Sequence, residues 1–179
     1  MSLPAAIRRT PSLDRWLRFS DDGMLVVYTG KVEIGQGIKT ALAMIAAEEL
    51  DVALARVRVQ TADTELTPNE FVTAGSLSIE DSGSALRVAS AAARSALMKR
   101  AAELLGVAME SLRVVDGLIT SEQTNQQTDY WTLAAAGPFA IELTDLPDLP
   151  DVKHPDTYKV VGRKTTRLDL LAKLRGQGV

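Results

Sequence analysis

Cysteine is missing from this sequence, and histidine is nearly so. The lack of cysteine excludes disulfide bonds, iron–sulfur ligation by this chain, a catalytic thiol and thiolate zinc sites. The single histidine, His154, lies in a segment rich in proline and aspartate, without an acidic or hydroxyl group arranged to orient it. Because histidine depends on such a partner in catalysis, and on further ligands in a metal site, we assign it neither role.

Long apolar runs and an excess of basic charge are also lacking. No stretch approaches the roughly 18 apolar residues that a membrane-spanning helix needs, so we expect no membrane span. Arg8-Arg9 is followed by residues 10–14, which lack the apolar run of a secretion signal, and we expect a cytoplasmic protein. The formal net charge is −3. A nucleic-acid partner is not expected, because it needs a basic patch that neutralises phosphates.

The residues that are present suit one α+β domain. The chain has 179 residues, of which 46% are hydrophobic, and this is enough to build a single core. The order of apolar and polar residues predicts strands at 24–33 and 56–61. Helical spacing predicts a buried helix at 38–50 and a longer, alanine-rich helix that begins near Ile79 and ends at Gly106. We therefore expect a mixed sheet packed with two main helices.

The second half of the chain is less regular. Asp116-Gly117 predicts a hairpin with a type I′ turn at 112–120, and residues 158–162 predict a short strand. The segment between them is polar and then rich in proline and aspartate, which is typical of a linker. The division that we expect is a flexible N-terminus at 1–12, an α+β domain at 13–121, a partly ordered linker at 122–157 and an extended tail at 158–179.

Gly35-Gln36-Gly37 joins the first predicted strand to the buried helix. Two glycines allow a sharp turn and the close approach of a ligand to the backbone. Free N–H groups at a helix start favour a phosphate or another anion, and Gln36 adds an amide that both donates and accepts hydrogen bonds. A plain turn is the alternative, since the third glycine of a dinucleotide fingerprint and the Gly-Lys-Ser/Thr of a phosphate-binding loop are missing.

A second run of small residues, Thr73-Ala74-Gly75-Ser76, ends the long loop at 62–76. Loops of this length are usually functional or disordered. Its hydroxyl and backbone donors would suit the same anionic ligand as the first turn. An ordinary loop followed by a helix with Ser78 as N-cap is the alternative, and the sequence leaves open whether the two turns meet.

The remaining polar residues predict little chemistry. Ser76 lacks the surrounding pattern of a hydrolase nucleophile. Glu48-Glu49 and Glu80-Asp81 lie at predicted helix ends and are interpreted as solvated charges. Arg87 and Arg94 share one face of the long helix, which is interpreted as a solvated face or a contact with a partner protein.

The run from Gly30 to Leu50 resembles the cofactor-binding block of the xanthine dehydrogenase and aldehyde oxidase family. Its sequence is GKVEIGQGIKTALAMIAAEEL, and the small residues of the second turn are similar to the continuation of that block. The most similar branch contains isoquinoline 1-oxidoreductase β subunits and nicotinate dehydrogenase large subunits, in which the block lies near the N-terminus. The resemblance extends over residues 13–176.

This resemblance implies a fold like that of a molybdenum cofactor-binding domain. The cofactor would be molybdopterin, in bacteria usually as its cytosine dinucleotide, and the complete enzyme would hydroxylate N-heterocycles or aldehydes with water as the oxygen source. Matching positions place one side of the cofactor pocket at Gly35, Gln36, Gly37 and Thr40. The other side falls at Thr73, Ala74, Gly75 and Ser76.

The resemblance also implies that the chain is incomplete as an enzyme. The family's large subunits continue through a hammerhead domain, and their catalytic glutamate lies beyond the matching region, so no glutamate here inherits its role. Leu171 and Leu174-Arg175 replace a proline and a Val-Thr pair expected at the domain junction. The implied partners are the remaining domains of the molybdopterin subunit and a [2Fe–2S] small subunit, and a homo-oligomer is compatible with them. The alternative is a non-catalytic interaction or assembly module that keeps the fold without the cofactor.

Overall fold

The computed structural model describes residues 3–177, and within that range it has six α-helices and two three-stranded sheets. The helices are α1 (Ala5–Arg9), α2 (Ile38–Leu50), α3 (Leu77–Glu80), α4 (Ser82–Leu105), α5 (Tyr130–Ala135) and α6 (Leu170–Leu174). The strands are β1 (Leu17–Phe19), β2 (Leu25–Thr29), β3 (Val57–Thr61), β4 (Leu112–Val115), β5 (Leu118–Ser121) and β6 (Gln127–Asp129). Single 3-10 turns lie at Leu13–Arg15, Leu54–Arg56, Met109–Ser111 and Pro155–Thr157.

The first sheet has the strand order β1-β2-β3. Strand β1 runs antiparallel to β2, and β2 runs parallel to β3. A parallel pair needs a crossover connection, and α2 supplies it. Leu25 and Val27 alternate with less buried residues along β2, as expected for a strand with one face in the core. The prediction of an α+β fold, with a mixed sheet and two main helices, is confirmed.

Helices α2 and α4 form the centre of the core. Small residues let the two helices approach closely: a Cβ atom added to Gly83 of α4 would lie 3.1 Å from Cδ1 of Ile45 of α2. Ala89, Ala93 and Leu97 of α4, which are spaced four residues apart, are fully buried. The near-continuous apolar surface of α2 is thereby covered, which agrees with the sequence interpretation of this helix as buried.

The second sheet is an antiparallel meander of β4, β5 and β6. Val115 pairs with Leu118, and the two turn residues between them, Asp116 and Gly117, have φ values of +49° and +76°. Positive φ at both positions is the signature of a type I′ turn, so the predicted hairpin is confirmed.

Three predictions of secondary structure differ from the structure. The first strand ends at Thr29 rather than at residue 33, because Gly30 and Lys31 bond to residues of the 62–76 loop instead of to a strand. The long helix starts at Ser82 and is preceded by the separate helix α3, so Ser78 is not its N-cap. The prediction of a strand at 158–162 is wrong. Backbone amides there donate to a buried carboxylate of α2 instead of pairing with a neighbouring strand.

That carboxylate belongs to Glu48, and the interpretation of Glu48 and Glu49 as solvated charges is wrong. Glu48 is 4% exposed and Glu49 is 1% exposed. Glu48 accepts hydrogen bonds from the amides of Lys159, Val160 and Val161 at 2.6–3.0 Å. Glu48 thus holds the returning C-terminal segment against α2.

The arginines of α4 are engaged at the same place. Nε of Arg87 donates to Glu49 at 2.9 Å, and Arg94 donates to the carbonyl of Asp151 at 2.7 Å. The interpretation of Arg87 and Arg94 as a solvated face is therefore wrong. Both side chains bind segments of this same chain.

The first residues of the described range pack onto the domain. Ala6 and Ile7 of α1 are fully buried. Asp81, between α3 and α4, accepts hydrogen bonds from the amide of Ala6 at 3.0 Å and from Arg9 at 2.8 Å. Asp81 is therefore not a freely solvated charge, and its ion pair fixes α1 at the break between the two helices. The division of the chain into four units stays a prediction.

Candidate functional site

The first turn, Gly35-Gln36-Gly37, leads directly into α2, with Gly37 as the N-cap in the left-handed region. Gly35 has φ +109° and Gly37 has φ +82°, conformations that side chains other than glycine rarely adopt. Apart from Gly35 and its two neighbours along the chain, no described residue has an atom within 4 Å of the position that a Cβ atom on Gly35 would occupy. The turn is thus sharp and open to solvent, as its glycines predict.

Glu33 caps this turn from within the chain. Its carboxylate accepts hydrogen bonds from the backbone amides of Gly35 and Gly37, both at 2.9 Å, and of Lys39 at 3.2 Å. Its side chain is only 7% exposed. The expectation that the amides at this helix start are free is therefore wrong for these three residues.

The ionisation of Glu33 follows from the same contacts. Burial alone raises the pKa of Glu33, but the hydrogen bonds from the three backbone amides and the nearby charge of Arg167 outweigh it. The net pKa of Glu33 lies below its ordinary value. The first turn therefore already contains a fixed negative charge at neutral pH.

Gln36 is folded back onto its own loop. Its Nε2 donates to the carbonyl oxygen of Val32 at 2.8 Å, and its Oε1 accepts from the amide of Ile34 at 2.7 Å. Thr40 is 6% exposed, and its hydroxyl oxygen accepts from the amide of Leu168 at 3.0 Å. Gln36 therefore braces the turn, and Thr40 binds the C-terminal segment.

The second turn is built differently. Gly75 and Ser76 follow each other with φ values of +63° and +60°, and both residues are exposed together with Ala74. Within residues 3–177, no hydrogen bond engages the backbone amides of Ala74, Gly75 and Ser76 or the hydroxyl of Ser76. Successive unpaired amides in a turn form a concavity that binds anions. This turn has the free donors that are expected at both turns.

Hydrogen bonds from Lys31 and Val32 to residues 70–73 connect the segment before the first turn with the loop that leads into the second turn, and we call this connection the buried strut. Lys31 is fully buried, and its Nζ donates to the carbonyl oxygens of Glu70 and Val72, both at 2.8 Å. The next amide, that of Val32, donates to Oγ1 of Thr73 at 2.9 Å. The sequence leaves open whether the two turns meet, and these bonds tie the segment just before the first turn to the start of the second turn.

Glu70 completes the strut. One of its carboxylate oxygens accepts from the hydroxyl of Thr29 at 2.5 Å and from the amide of Gly30 at 2.6 Å. Gly30 packs so closely here that an added Cβ atom would lie 2.6 Å from the carbonyl oxygen of Pro68. Sequence reasoning misses Lys31, Glu33 and Glu70, although an acidic residue just before a helix start is a recognisable capping signal.

Exposed apolar side chains are concentrated around the same two turns. Five of them are Val32 (41% exposed), Ile34 (74%), Phe71 (70%), Val72 (58%) and Ile79 (49%). Exposed apolar groups of this density are typical of surfaces that another protein segment covers. Within the described part of the chain, no helix is long and apolar enough to cross a membrane. That part also contains no cluster of three His, Cys, Asp or Glu side chains that could hold a metal ion.

Two small-residue turns on a mixed α+β domain, one capped by Glu33 and one with unpaired amides, form the candidate site. The chain matches the molybdopterin cofactor-binding domain family over residues 5–166, and it belongs to that family. The recognition of the family from the first turn and its flanking residues is thus confirmed.

Individual relatives agree with this assignment. A nicotinate dehydrogenase subunit of Pseudomonas putida is 35% identical over 162 residues, which are 90% of this chain and 13% of that protein. The β chain of isoquinoline 1-oxidoreductase from Brevundimonas diminuta is 28% identical over 98% of this chain and 28% of that protein. The structure of a Cu,Mo-CO dehydrogenase superposes with a TM-score of 0.57 and 25% identity, over 67% of this chain and 15% of the other. The chain therefore spans less than a third of each relative.

Proposed function

We propose that this chain forms one wall of the molybdopterin site of a molybdenum hydroxylase, and that further domains supply the catalytic residues. The observation that carries the proposal is the set of hydrogen bonds from Lys31 and Val32 to residues 70–73, which ties the segment before the first turn to the start of the second turn. The small share of each relative that the chain spans supports the view that it is incomplete as an enzyme.

The second turn fits an anionic part of the cofactor. Its unpaired amides and the Ser76 hydroxyl are donors suited to phosphate oxygens. Apart from its chain neighbours, the only described residue that a Cβ atom added to Gly75 would meet is Leu77, at 3.8 Å, so the backbone here has room for a ligand. We assign phosphate binding to Ala74, Gly75 and Ser76, with Thr73 as the link to the first turn.

The first turn fits an uncharged part of the cofactor better than a phosphate. The carboxylate of Glu33 occupies the amides of Gly35 and Gly37 and would repel a second anion close by. Gln36 lies on the exposed side with a primary amide that can exchange its loop bonds for bonds to a pterin ring. Thr40 is assigned a supporting role, because its hydroxyl binds Leu168.

The bound cofactor would supply the metal chemistry by which an N-heterocycle or aldehyde is hydroxylated with oxygen from water. The chain's own contribution is geometric: fixed amides hold and orient the cofactor, and the two turns keep their spacing through the buried strut. We extend the proposal to the cytosine dinucleotide form of the cofactor, to a [2Fe–2S] small subunit as electron acceptor and to the cytoplasm as location. The exposed apolar groups around the turns are assigned to contact with the remaining domains of the molybdopterin subunit.

The molybdenum content of the complete enzyme checks this proposal. Gln36→Ala, Gly37→Val and Gly75→Val should each lower the molybdenum bound per enzyme molecule. Gly106→Val is the matched control, because Gly106 has φ +65°, open space around it and a position at the far end of α4. An unchanged amount of molybdenum per enzyme molecule in all three site variants would contradict the proposal. An enzyme without molybdenum even as wild type would favour the alternative of an assembly module that has lost the cofactor.

A further inference from the structure

The C-terminal segment closes over the first turn, and we infer that Arg167 is a positioning residue that holds this turn in shape together with Glu33. Only the consequence for cofactor binding rests on the proposed function. The geometric part concerns the chain alone.

Arg167 reaches the turn from more than 130 positions along the chain. Its Nη1 donates to the carbonyl oxygen of Gly35 at 2.8 Å, and its Nη2 lies 3.4 Å from Oε1 of Glu33. The next residue, Leu168, donates its amide to Thr40 in the first part of α2. Two consecutive residues of the tail therefore bind the turn and the helix that follows it.

The guanidinium of Arg167 is itself held in place. Asp169 accepts two bonds from it, at 3.0 Å and 2.7 Å, and accepts another from Lys173 at 2.5 Å. Asp169 is only 3% exposed. Hydrogen bonds from Arg167 and Lys173 hold the pKa of Asp169 well below its usual range, so this carboxylate stays charged. A planar fork that binds a buried carboxylate on one edge presents its remaining N–H groups in a fixed direction.

Arg167 and Glu33 act on different atoms of the same turn. Glu33 binds the amide of Gly35, whereas Arg167 binds the carbonyl of Gly35, so the peptide groups on both sides of this glycine are fixed. Gly35 has φ +109°, and glycine is the residue with the greatest backbone freedom, so these hydrogen bonds restrain a position with few restraints of its own. Without Arg167, the turn would sample other conformations.

Hydrogen exchange on the full 179-residue chain tests the geometric part. Arg167→Gln should speed the exchange of the amides of Gly35, Gly37 and Lys39 by about tenfold, since these amides are protected only while Glu33 keeps its place. Arg163→Gln is the matched control, because Arg163 is exposed on the same segment and its side chain makes no hydrogen bond within the described residues. Unchanged exchange in Arg167→Gln, or equal acceleration by Arg163→Gln, overturns the inference.

A second measurement separates positioning from general destabilisation. Glu33→Gln should accelerate exchange at the same amides, and the double variant should exchange no faster than about the faster single variant, because both residues act on one turn. Additive effects, or an acceleration spread evenly over α4 and the hairpin, overturn the inference. If exchange at the turn rises in Arg167→Gln while the complete enzyme keeps its molybdenum, the positioning role stands and the proposed function of the turn fails.

Discussion

The backbone amide of Val32 donates to the hydroxyl oxygen of Thr73 at 2.9 Å, and this bond ties the segment before the first turn to the second turn. It lies directly beside the buried Lys31, whose ammonium binds two carbonyls of the same loop. The spacing of the two turns is therefore set by the tripeptide from Lys31 to Glu33. Each of its residues holds a different part of the candidate site.

Replacing Thr73 tests this link. Thr73→Val keeps the shape of the side chain but removes the acceptor, and we expect a loss of about 1 kcal/mol of local stability, or about fivefold faster exchange of the Val32 amide. Thr73→Ser keeps the hydroxyl and should leave that exchange near the wild-type rate. NMR-detected hydrogen exchange measures both variants. Equal exchange in Thr73→Val and Thr73→Ser would show that the link is not made through the hydroxyl.

Glu48 is expected to carry the attachment of the C-terminal segment. Glu48→Ala leaves the amides of Lys159, Val160 and Val161 without their acceptor, and the free energy of unfolding should fall by about 2–4 kcal/mol. Urea unfolding measures the loss. Glu103→Ala is the control, because Glu103 is exposed on α4 and should change stability by about 0.5 kcal/mol or less. A loss for Glu48→Ala no greater than the control would contradict the assignment.

The pH dependence of stability follows from the same group. Burial raises the pKa of Glu48. The hydrogen bonds from the amides of residues 159–161 lower the pKa by a larger amount, so the net pKa lies below the ordinary value of 4.5. A carboxyl with a depressed pKa in the folded state stabilises the fold above its unfolded pKa and loses that contribution as the pH falls through its folded pKa. Glu33 and Asp169 share this direction.

The free energy of unfolding should therefore stay level near neutral pH and decrease steadily below about pH 4.5. Urea titrations at a series of pH values measure it. Glu48→Gln should be less stable at neutral pH and should show a shallower decrease in acid, because its contribution no longer depends on protonation. A free energy that rises as the solution is acidified would contradict the pKa directions.

Gly117 in the hairpin turn is expected to tolerate no side chain. An added Cβ atom would lie 2.5 Å from Cζ3 of Trp131, and φ is +76°. Gly117→Ala should cost about 3 kcal/mol, from backbone strain together with overpacking. Gly106→Ala has comparable strain but open space, and it should cost about 1 kcal/mol. Thermal unfolding compares the two variants, and equal losses would mean that Trp131 moves aside freely.

Local sequence patterns are sufficient for the elements that depend on neighbouring residues. The type I′ turn follows from Asp116-Gly117 alone, and the buried α2 follows from its apolar residues on nearly every side. The turn before α2 follows from Gly35 and Gly37, whose positive φ values only glycine adopts readily. In each case the determining contacts lie within a few positions along the chain.

The features that sequence reasoning misses depend on partners far apart in the chain. Lys31 binds carbonyls about 40 positions away, and Glu48 binds amides more than 110 positions away. The residues next to Lys31 and Glu48 in the sequence look the same as those next to a solvated charge. The burial of these two side chains therefore cannot be predicted from the neighbouring sequence. Glu33 is different, because its partners lie two to six positions ahead and its role as a helix-start cap is within reach of the sequence.

We propose that this chain holds molybdopterin as part of a larger enzyme. The molybdenum and pterin content of the native polypeptide that carries this sequence tests this most directly. It should be purified by a tag from its own host, with the co-purifying proteins weighed by mass spectrometry. We expect stoichiometric molybdenum and pterin together with a small iron–sulfur partner. Neither molybdenum nor pterin in the purified native protein would contradict the claim.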